Sequence, residues 1–177
     1  MCVKSKLNQL LNLIQLNQLV ITFTPMLQPL QLPPYPFKIT EHNGQLTLFD
    51  DIRKKHIIIT PEEWVRQHFV QYLINQKGYP KTLIKLEGGL KLHGNAKRTD
   101  IVVFNPSGEK ILLIECKAPS VNIDQKVFDQ VARYNMVHKV GLLVVSNGLK
   151  HYYCRIDFIN QKYQFIEDLP DYKNIGV

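Results

Sequence analysis

The sequence predicts an α/β fold, a mixed β-sheet sandwiched between helices. Three observations point there. Residues 60–80, TPEEWVRQHFVQYLINQKGYP, carry helix signals at both ends and an apolar stripe between them. Residues 99–117, TDIVVFNPSGEKILLIECK, hold two apolar runs on either side of a turn. Residues 122–138, NIDQKVFDQVARYNMVH, form a second helical pattern, and VGLLVVSNG behind it reads as a buried strand.

A chain of 177 residues suggests one domain, and 45% hydrophobic residues are enough to build a core. Residues 1–36 are expected to be a poorly ordered N-terminal extension, and residues 37–177 a single domain. Within the extension, LNQLLNLIQLNQLVITF (7–23) is apolar and follows Lys4 and Lys6. Six Asn and Gln residues interrupt it and no small-residue cleavage site follows, so it makes neither a signal peptide nor a membrane span. Met26 is an alternative start. Translation from there would remove two lysines and no acids, lowering the net charge from +7 to +5. Pro29, Pro33, Pro34 and Pro36 then enforce an extended lead-in.

The segment 37–60, FKITEHNGQLTLFDDIRKKHIIIT, alternates apolar and polar residues around Asn43-Gly44, which marks a hairpin. In the first helix Thr60 can cap, Pro61 suits the first position, and Glu62 and Glu63 favour the positive end of the helix dipole. Val65, Phe69 and Leu73, with Tyr72 beside them, make the inward stripe, and Gly78 and Pro80 end the helix. Trp64 lies one residue off the stripe, placed to pack on the N-terminal hairpin. Glu62 falls on the stripe, where a site role and a dipole role compete evenly. Glu63 points aside and reads as a dipole complement alone.

Residues 82–92 predict a strand, HGNAKR a polar stretch, and Asn105-Pro106-Ser107-Gly108 a hairpin turn. Val127, Val131 and Tyr134 form the stripe of the second helix. HYYCRIDF after VGLLVVSNG predicts one further strand.

The net charge of +7 and a pI near 9.3 suit a polyanionic partner, although proteins without one often carry as much. Three cysteines without CxxC spacing make neither a disulfide framework nor a zinc cluster, and they suit a reducing, cytoplasmic setting. Cys116 reads as a buried, inert thiol. No GxxxxGK[ST] phosphate loop is present. Ser107 and Ser146 have no base partnered in sequence, and the histidines show no ligand spacing. The groups KGYPK, Arg53-Lys54-Lys55 and His151 read as surface features. No helix-turn-helix, zinc finger or RNA-binding aromatic motif supplies sequence specificity.

One stretch resists a structural reading. LLIECKAPS ends a buried strand with Glu115 and Lys117, one residue apart and on one side. If Asn105–Gly108 is a tight turn, the numbers of paired residues sum to about 213. Asp100 then shares a face with Glu115 and Lys117. A sum of 215 sets Asp100 directly opposite Glu115, and 214 puts the two on opposite faces. Odd sums are favoured because they gather the charges. Carboxylates about 5–8 Å apart repel unless a cation sits between them. Such oxygens suit Mg²⁺, and Lys117 beside them can steady phosphoryl charge or an attacking water. A plain ion pair at a sheet rim accounts for the same residues as readily.

TD at 99–100 and ECK at 115–117, behind a Glu-bearing helix, resemble the PD-(D/E)xK nuclease motif. More narrowly PEEWVRQ, KRTDIVVF, LLIECKAP, QVARY and LLVVSNG, between residues 61 and 148, resemble the N-terminal nuclease domain of type I restriction enzyme R proteins, in a stand-alone form. The (D/E)xK triplet alone is weak; its order on these elements is more specific. Thr99 stands where the motif has proline.

The resemblance implies a restriction-endonuclease-like three-layer core, αβββαβ, with the N-terminal hairpin as an extension. It implies Asp100 and Glu115 as metal ligands, with the Cys116 main-chain carbonyl as a third. Lys117 would be the catalytic lysine, and Glu62 the helix glutamate that completes the site. Gln130 and Tyr134 match a QxxxY feature that touches nucleic acid or supports the site. Ordinary helix and core packing explain that pair too. Lys97 and Arg98 are candidates for phosphate contacts, or a solvated loop. Mg²⁺, replaceable by Mn²⁺, is the implied cofactor. DNA is the implied partner, with no membrane, and a homodimer or a motor supplied in trans completes the set. The alternative is an inactive nuclease fold used to bind nucleic acid or to assemble.

Overall fold

Thr60 and Pro61 start the first helix, α1 (Pro61–Asn75), as their chemistry dictates. The Thr60 hydroxyl accepts the Glu63 N–H at 3.1 Å, and Pro61 occupies the first turn. Gly78, at φ +70°, turns the chain out of the helix. In this computed structural model residues 27–92 and 95–175 are described; the side chains of 87–98, Tyr134, Val137 and His138 are not among them.

Before α1 lie β1 (Ile39–His42), β2 (Gln45–Asp50) and β3 (Lys55–Ile58), an antiparallel sheet of three strands. Asn43 and Gly44 turn β1 into β2 with φ of 50° and 74°. The expected hairpin thus gains a third strand. After α1 come β4 (Ile84–Leu92), β5 (Asn95–Phe104) and β6 (Lys110–Cys116), then α2 (Gln125–His138), then β7 (Leu142–Ser146), β8 (His151–Asp157) and β9 (Lys162–Ile166). These six strands form one sheet in sequence order. Only β6 and β7 pair in parallel, because α2 crosses over between them. The αβββαβ succession runs from α1 to β7, and β8 and β9 extend the sheet. The polar stretch 93–98 is not wholly loop, since Asn95 begins β5.

The sheet is covered on both faces. Val65, Phe69 and Leu73 of α1 are fully buried with Ile101, Val103, Leu112, Ile114 and Cys116. Each such side chain stabilises the fold by roughly 1.5–3 kcal/mol. On the other face Phe128 and Val131 of α2 pack on Leu113, Leu143, Val145 and Cys154. Trp64 packs outward, against Leu46, Leu48 and Ile59 of the small sheet and its flank, and its indole N–H donates to the Gln28 carbonyl at 3.1 Å. The stripe therefore describes only one side of α1, whose residues Glu63 to Gln71 are all buried. Residues 1–26, with Met26 and the apolar run 7–23, lie outside the described residues. Residues 27–32, expected in the extension, reach the domain: the Gln31 N–H donates to Gly148 O at 2.7 Å, and Leu32 is in the core.

Neither Tyr79 nor His151 is the surface feature expected. Tyr79 of KGYPK is 1% exposed, because its hydroxyl finds the Pro170 carbonyl at 2.9 Å while its ring is enclosed. His151 is partly buried between Ser146 Oγ at 2.8 Å and Gln31 O at 2.9 Å. That contact gives Ser146 a basic partner that spacing did not reveal. The serine is fully buried and also accepts the Gly148 N–H, so the pair serves structure.

Candidate active site

The β5–β6 register decides whether the charges meet. Asn105 and Glu109 close the loop: the Asn105 N–H donates to Glu109 O, and the Glu109 N–H donates to Asn105 Oδ1, both at 2.8 Å. The first pair beyond it is Phe104 with Lys110, an even sum. Continued, that register would put Asp100 and Glu115 on opposite faces. A bulge intervenes: Val103 pairs with Leu112, leaving Ile111 as the extra residue. Val102 with Leu113 and Ile101 with Ile114 then continue at a sum of 215, which brings Asp100 level with Glu115.

β6 ends between two neighbours. On the β7 side the Lys117 N–H donates to Ser146 O at 2.8 Å, one residue past the strand. Successive amides point to opposite sides, so the Cys116 N–H faces β5. There it donates to Asp100 Oδ2 at 2.6 Å. The other Asp100 oxygen, Oδ1, takes Arg66 Nη2 at 2.6 Å, and the same Nη2 reaches Glu62 Oε1 at 3.0 Å. Lys117 Nζ donates to Glu115 Oε1 at 2.6 Å. Glu62, Asp100, Glu115 and Lys117 are thus gathered where the N-terminus of α1 meets the end of β6.

The cluster opens in one direction. Side-chain exposure climbs from 7% for Arg66 and 10% for Asp100 to 22% for Glu115, 29% for Lys117 and 43% for Glu62. Arg66 and Asp100 are deepest, and Lys117 and Glu62 stand at the mouth.

Charge crowding shows in the protonation equilibria. Burial, then the Asp100 charge, pushes the Glu115 carboxyl above its ordinary value against the pull of Lys117. Burial and Asp100 raise Glu62 as well. Burial alone would lower Lys117, but the bond to Glu115 and the charges of Glu115, Asp100 and Glu62 outweigh it and keep the ammonium protonated. Burial likewise opposes the Arg66 charge, and Asp100 and Glu63 overcome it. Cys116 is fully enclosed and its thiol is raised well above its usual value by burial, as an inert core thiol should be.

Among the described residues no three His, Cys, Asp or Glu side chains gather closely enough to hold a metal ion. Mg²⁺ asks for less, one or two carboxylates together with waters and phosphate oxygens. Asp100 and Glu115 are hard oxygen donors, and the oxygens that hold Arg66, the Cys116 N–H and Lys117 can each accept more than one bond. The field that raises Glu115 is one a divalent cation relieves, so the donor set fits such an ion.

Four further residues hold this arrangement, and the sequence pattern gave none of them a part in the site. Glu63 is not a solvated dipole complement: it is 7% exposed and accepts bonds from Arg53, Arg66 and Gln67. Arg53 is not a surface cation, since its side chain is 12% exposed and its Nε bonds Asp50 Oδ2 at 2.5 Å. Asp50 is fully buried and accepts the N–H groups of Ile52 and Arg53 at 2.7 and 2.8 Å, and Gln67 Nε2 at 2.8 Å. Arg66 could have been found, because it lies three and four residues beyond Glu63 and Glu62, on their helix face.

Gln130 is exposed on α2, and among the described residues no hydrogen bond joins it to the cluster. The side chains of Tyr134, Lys97 and Arg98 lie outside the described ones; their backbones belong to α2 and β5. Among the described residues, no helix is long and apolar enough to cross a membrane.

No curated protein matches this chain. A solved fragment from Vibrio vulnificus YJ016, assigned to an HsdR subunit of a type I restriction enzyme, aligns with a TM-score of 0.48 and 16% identity. The alignment covers 64% of this chain and 24% of that one, so this chain spans about a quarter of its length. The family described as the type I restriction enzyme R protein N terminus matches residues 61–170, from the start of α1 to beyond β9, more than half of the chain, and the chain belongs to that family.

Proposed function

We propose that the domain is a metal-dependent endonuclease that hydrolyses phosphodiester bonds, with DNA as its substrate. The observation that carries this reading is the meeting of Glu62, Asp100, Glu115 and Lys117 in one partly open cluster. Asp100 and Glu115, with the Cys116 carbonyl, would hold Mg²⁺ or Mn²⁺, which would supply Lewis-acid stabilisation of phosphate charge.

The chain's own residues do the rest. The Lys117 ammonium, fixed by Glu115 and by its amide bond to Ser146, presents positive charge at the mouth of the site. There it attracts a phosphate and steadies charge on the non-bridging oxygens as water adds to phosphorus. The water oxygen becomes bonded to phosphorus and releases a proton to solvent, one ester P–O bond breaks, the leaving oxygen takes a proton from solvent, and the products are a phosphomonoester and a free hydroxyl. Held as an ammonium, Lys117 orients and stabilises rather than taking the proton. Glu62, the most exposed carboxylate of the cluster, can accept a hydrogen bond from that water. Membership of the R-protein family supports DNA as substrate and a motor subunit or second copy as partner.

Plasmid nicking tests the reading. Wild-type protein should relax supercoiled DNA with Mg²⁺ or Mn²⁺. Lys117→Ala should cleave about 10²–10³-fold more slowly while still retarding DNA on a gel. A wild type that cleaves neither DNA nor RNA with Mg²⁺, Mn²⁺ or Co²⁺ overturns the enzyme and leaves a binding or assembly module.

A further inference from the structure

We propose that Arg66 is a positioning residue for Asp100, and that a buried chain of ion pairs roots it in the N-terminal three-stranded sheet. The Cys116 N–H restrains only one oxygen of Asp100. Arg66 Nη2 restrains the other and, by also holding Glu62, keeps two repelling carboxylates at a set spacing. The second arm of the guanidinium, Nη1, is held by Glu63 Oε2. Glu63 Oε1 is held in turn by Arg53 and Gln67, and both of these bond Asp50 at the end of β2. Charge alternates along the path from Asp100 through Arg66, Glu63 and Arg53 to Asp50.

Burial makes the path stiff. Side-chain exposure is 7% at Arg66, 8% at Glu63, 12% at Arg53 and 0% at Asp50, so water screens none of these pairs well. An arginine fork fixes direction as well as charge, which a lysine does not. Asp50 and Arg53 precede residue 61, outside the stretch that matches the family. The small sheet is therefore a buttress of the site, supplied by a part of the chain the family match does not cover. The catalytic consequence rests on the nuclease reading above; the positioning itself does not.

Amide hydrogen exchange of the full chain, followed by NMR, tests it. Cys116 reports the hold on Asp100, and Ile114, paired with Ile101 in the ladder, reports the sheet. In Arg66→Gln and Arg53→Met, Cys116 should exchange about tenfold faster while Ile114 keeps its protection. Arg66→Lys should recover part of the loss, and Mn²⁺ affinity should fall in the same order. Should Arg66→Gln fail to fold, Arg53→Met, at the far end of the path, decides. Unchanged Cys116 exchange overturns the proposal, and so does a joint acceleration of Cys116 and Ile114, which would mean general loosening. A wild type that binds no Mn²⁺ ends the nuclease reading only, since Cys116 exchange still decides the role of Arg66.

Discussion

The two helices that cover the sheet live in different surroundings. α1 is enclosed by two sheets, and ten of its residues are buried, four of them polar or charged besides His68. α2 covers the opposite face with Phe128 and Val131 and leaves Met136 60% exposed. Beside α2, Phe128, Cys154, Ile156 and Tyr163 line an apolar groove of about 530 Å³ that shares no residue with the acidic cluster. Ionised groups deep in a protein must be matched and fixed by partners. Among the described residues α1 offers such partners in Glu63, Arg66 and Gln67, and the charged cluster stands at its N-terminus.

Core truncation should break the symmetry most. Phe69→Ala on α1 should cost about 3–5 kcal/mol in urea unfolding, because Phe69 is fully buried and confined between layers. Phe128→Ala on α2 should cost clearly less, since it borders a groove into which neighbours can relax. Equal losses would mean that enclosure does not set the difference.

Acid should sharpen the contrast with a smaller effect. Burial holds His68 and His151 below their ordinary 6.5, and both lie on the α1 side, with the ring of His68 against Trp64 and that of His151 against Phe69. The unfolded chain then takes up protons first, so stability falls as pH drops through 6.5 and on toward the lower folded values. Glu62 and Glu115 act oppositely at lower pH: their folded values are raised, and protonation there relieves crowding. The melting temperature should decline from about pH 8 to about pH 5.5, and His68→Phe should flatten that decline while keeping the ring contacts. A flat wild-type profile contradicts the assignment.

The elements were legible where local chemistry commits the backbone: Thr60 and Pro61 at the start of α1, Asn43-Gly44, and the Asn105–Gly108 turn. The gathering of Asp100, Glu115 and Lys117 was legible from period-two alternation, but the choice between the odd sums 213 and 215 was not. Closure by Asn105 and Glu109 moves the sum off 213, and the bulge at Ile111 brings it to 215. A bulge depends on packing across the ladder, which sequence spacing does not carry. β3 and β9 were missed because each has exposed apolar residues, Ile58 in one and Tyr163 and Phe165 in the other, that blur the alternation. The network of Asp50, Arg53, Glu63 and Arg66 was missed for a related reason. Charges read as solvated until a second sheet covers the helix, and the small sheet does so through contacts between residues far apart in sequence.

The central claim is that Asp100 and Glu115 form a divalent-cation site. Isothermal titration of Mn²⁺ into wild type and Asp100→Asn tests it most directly. The asparagine is nearly isosteric but offers one acceptor oxygen, enough for the Cys116 N–H or for Arg66 and not for both, so an unchanged circular dichroism spectrum must show that the fold persists. Saturable binding to wild type that disappears in Asp100→Asn is the expected result; no binding to wild type, or equal binding to both proteins, contradicts it.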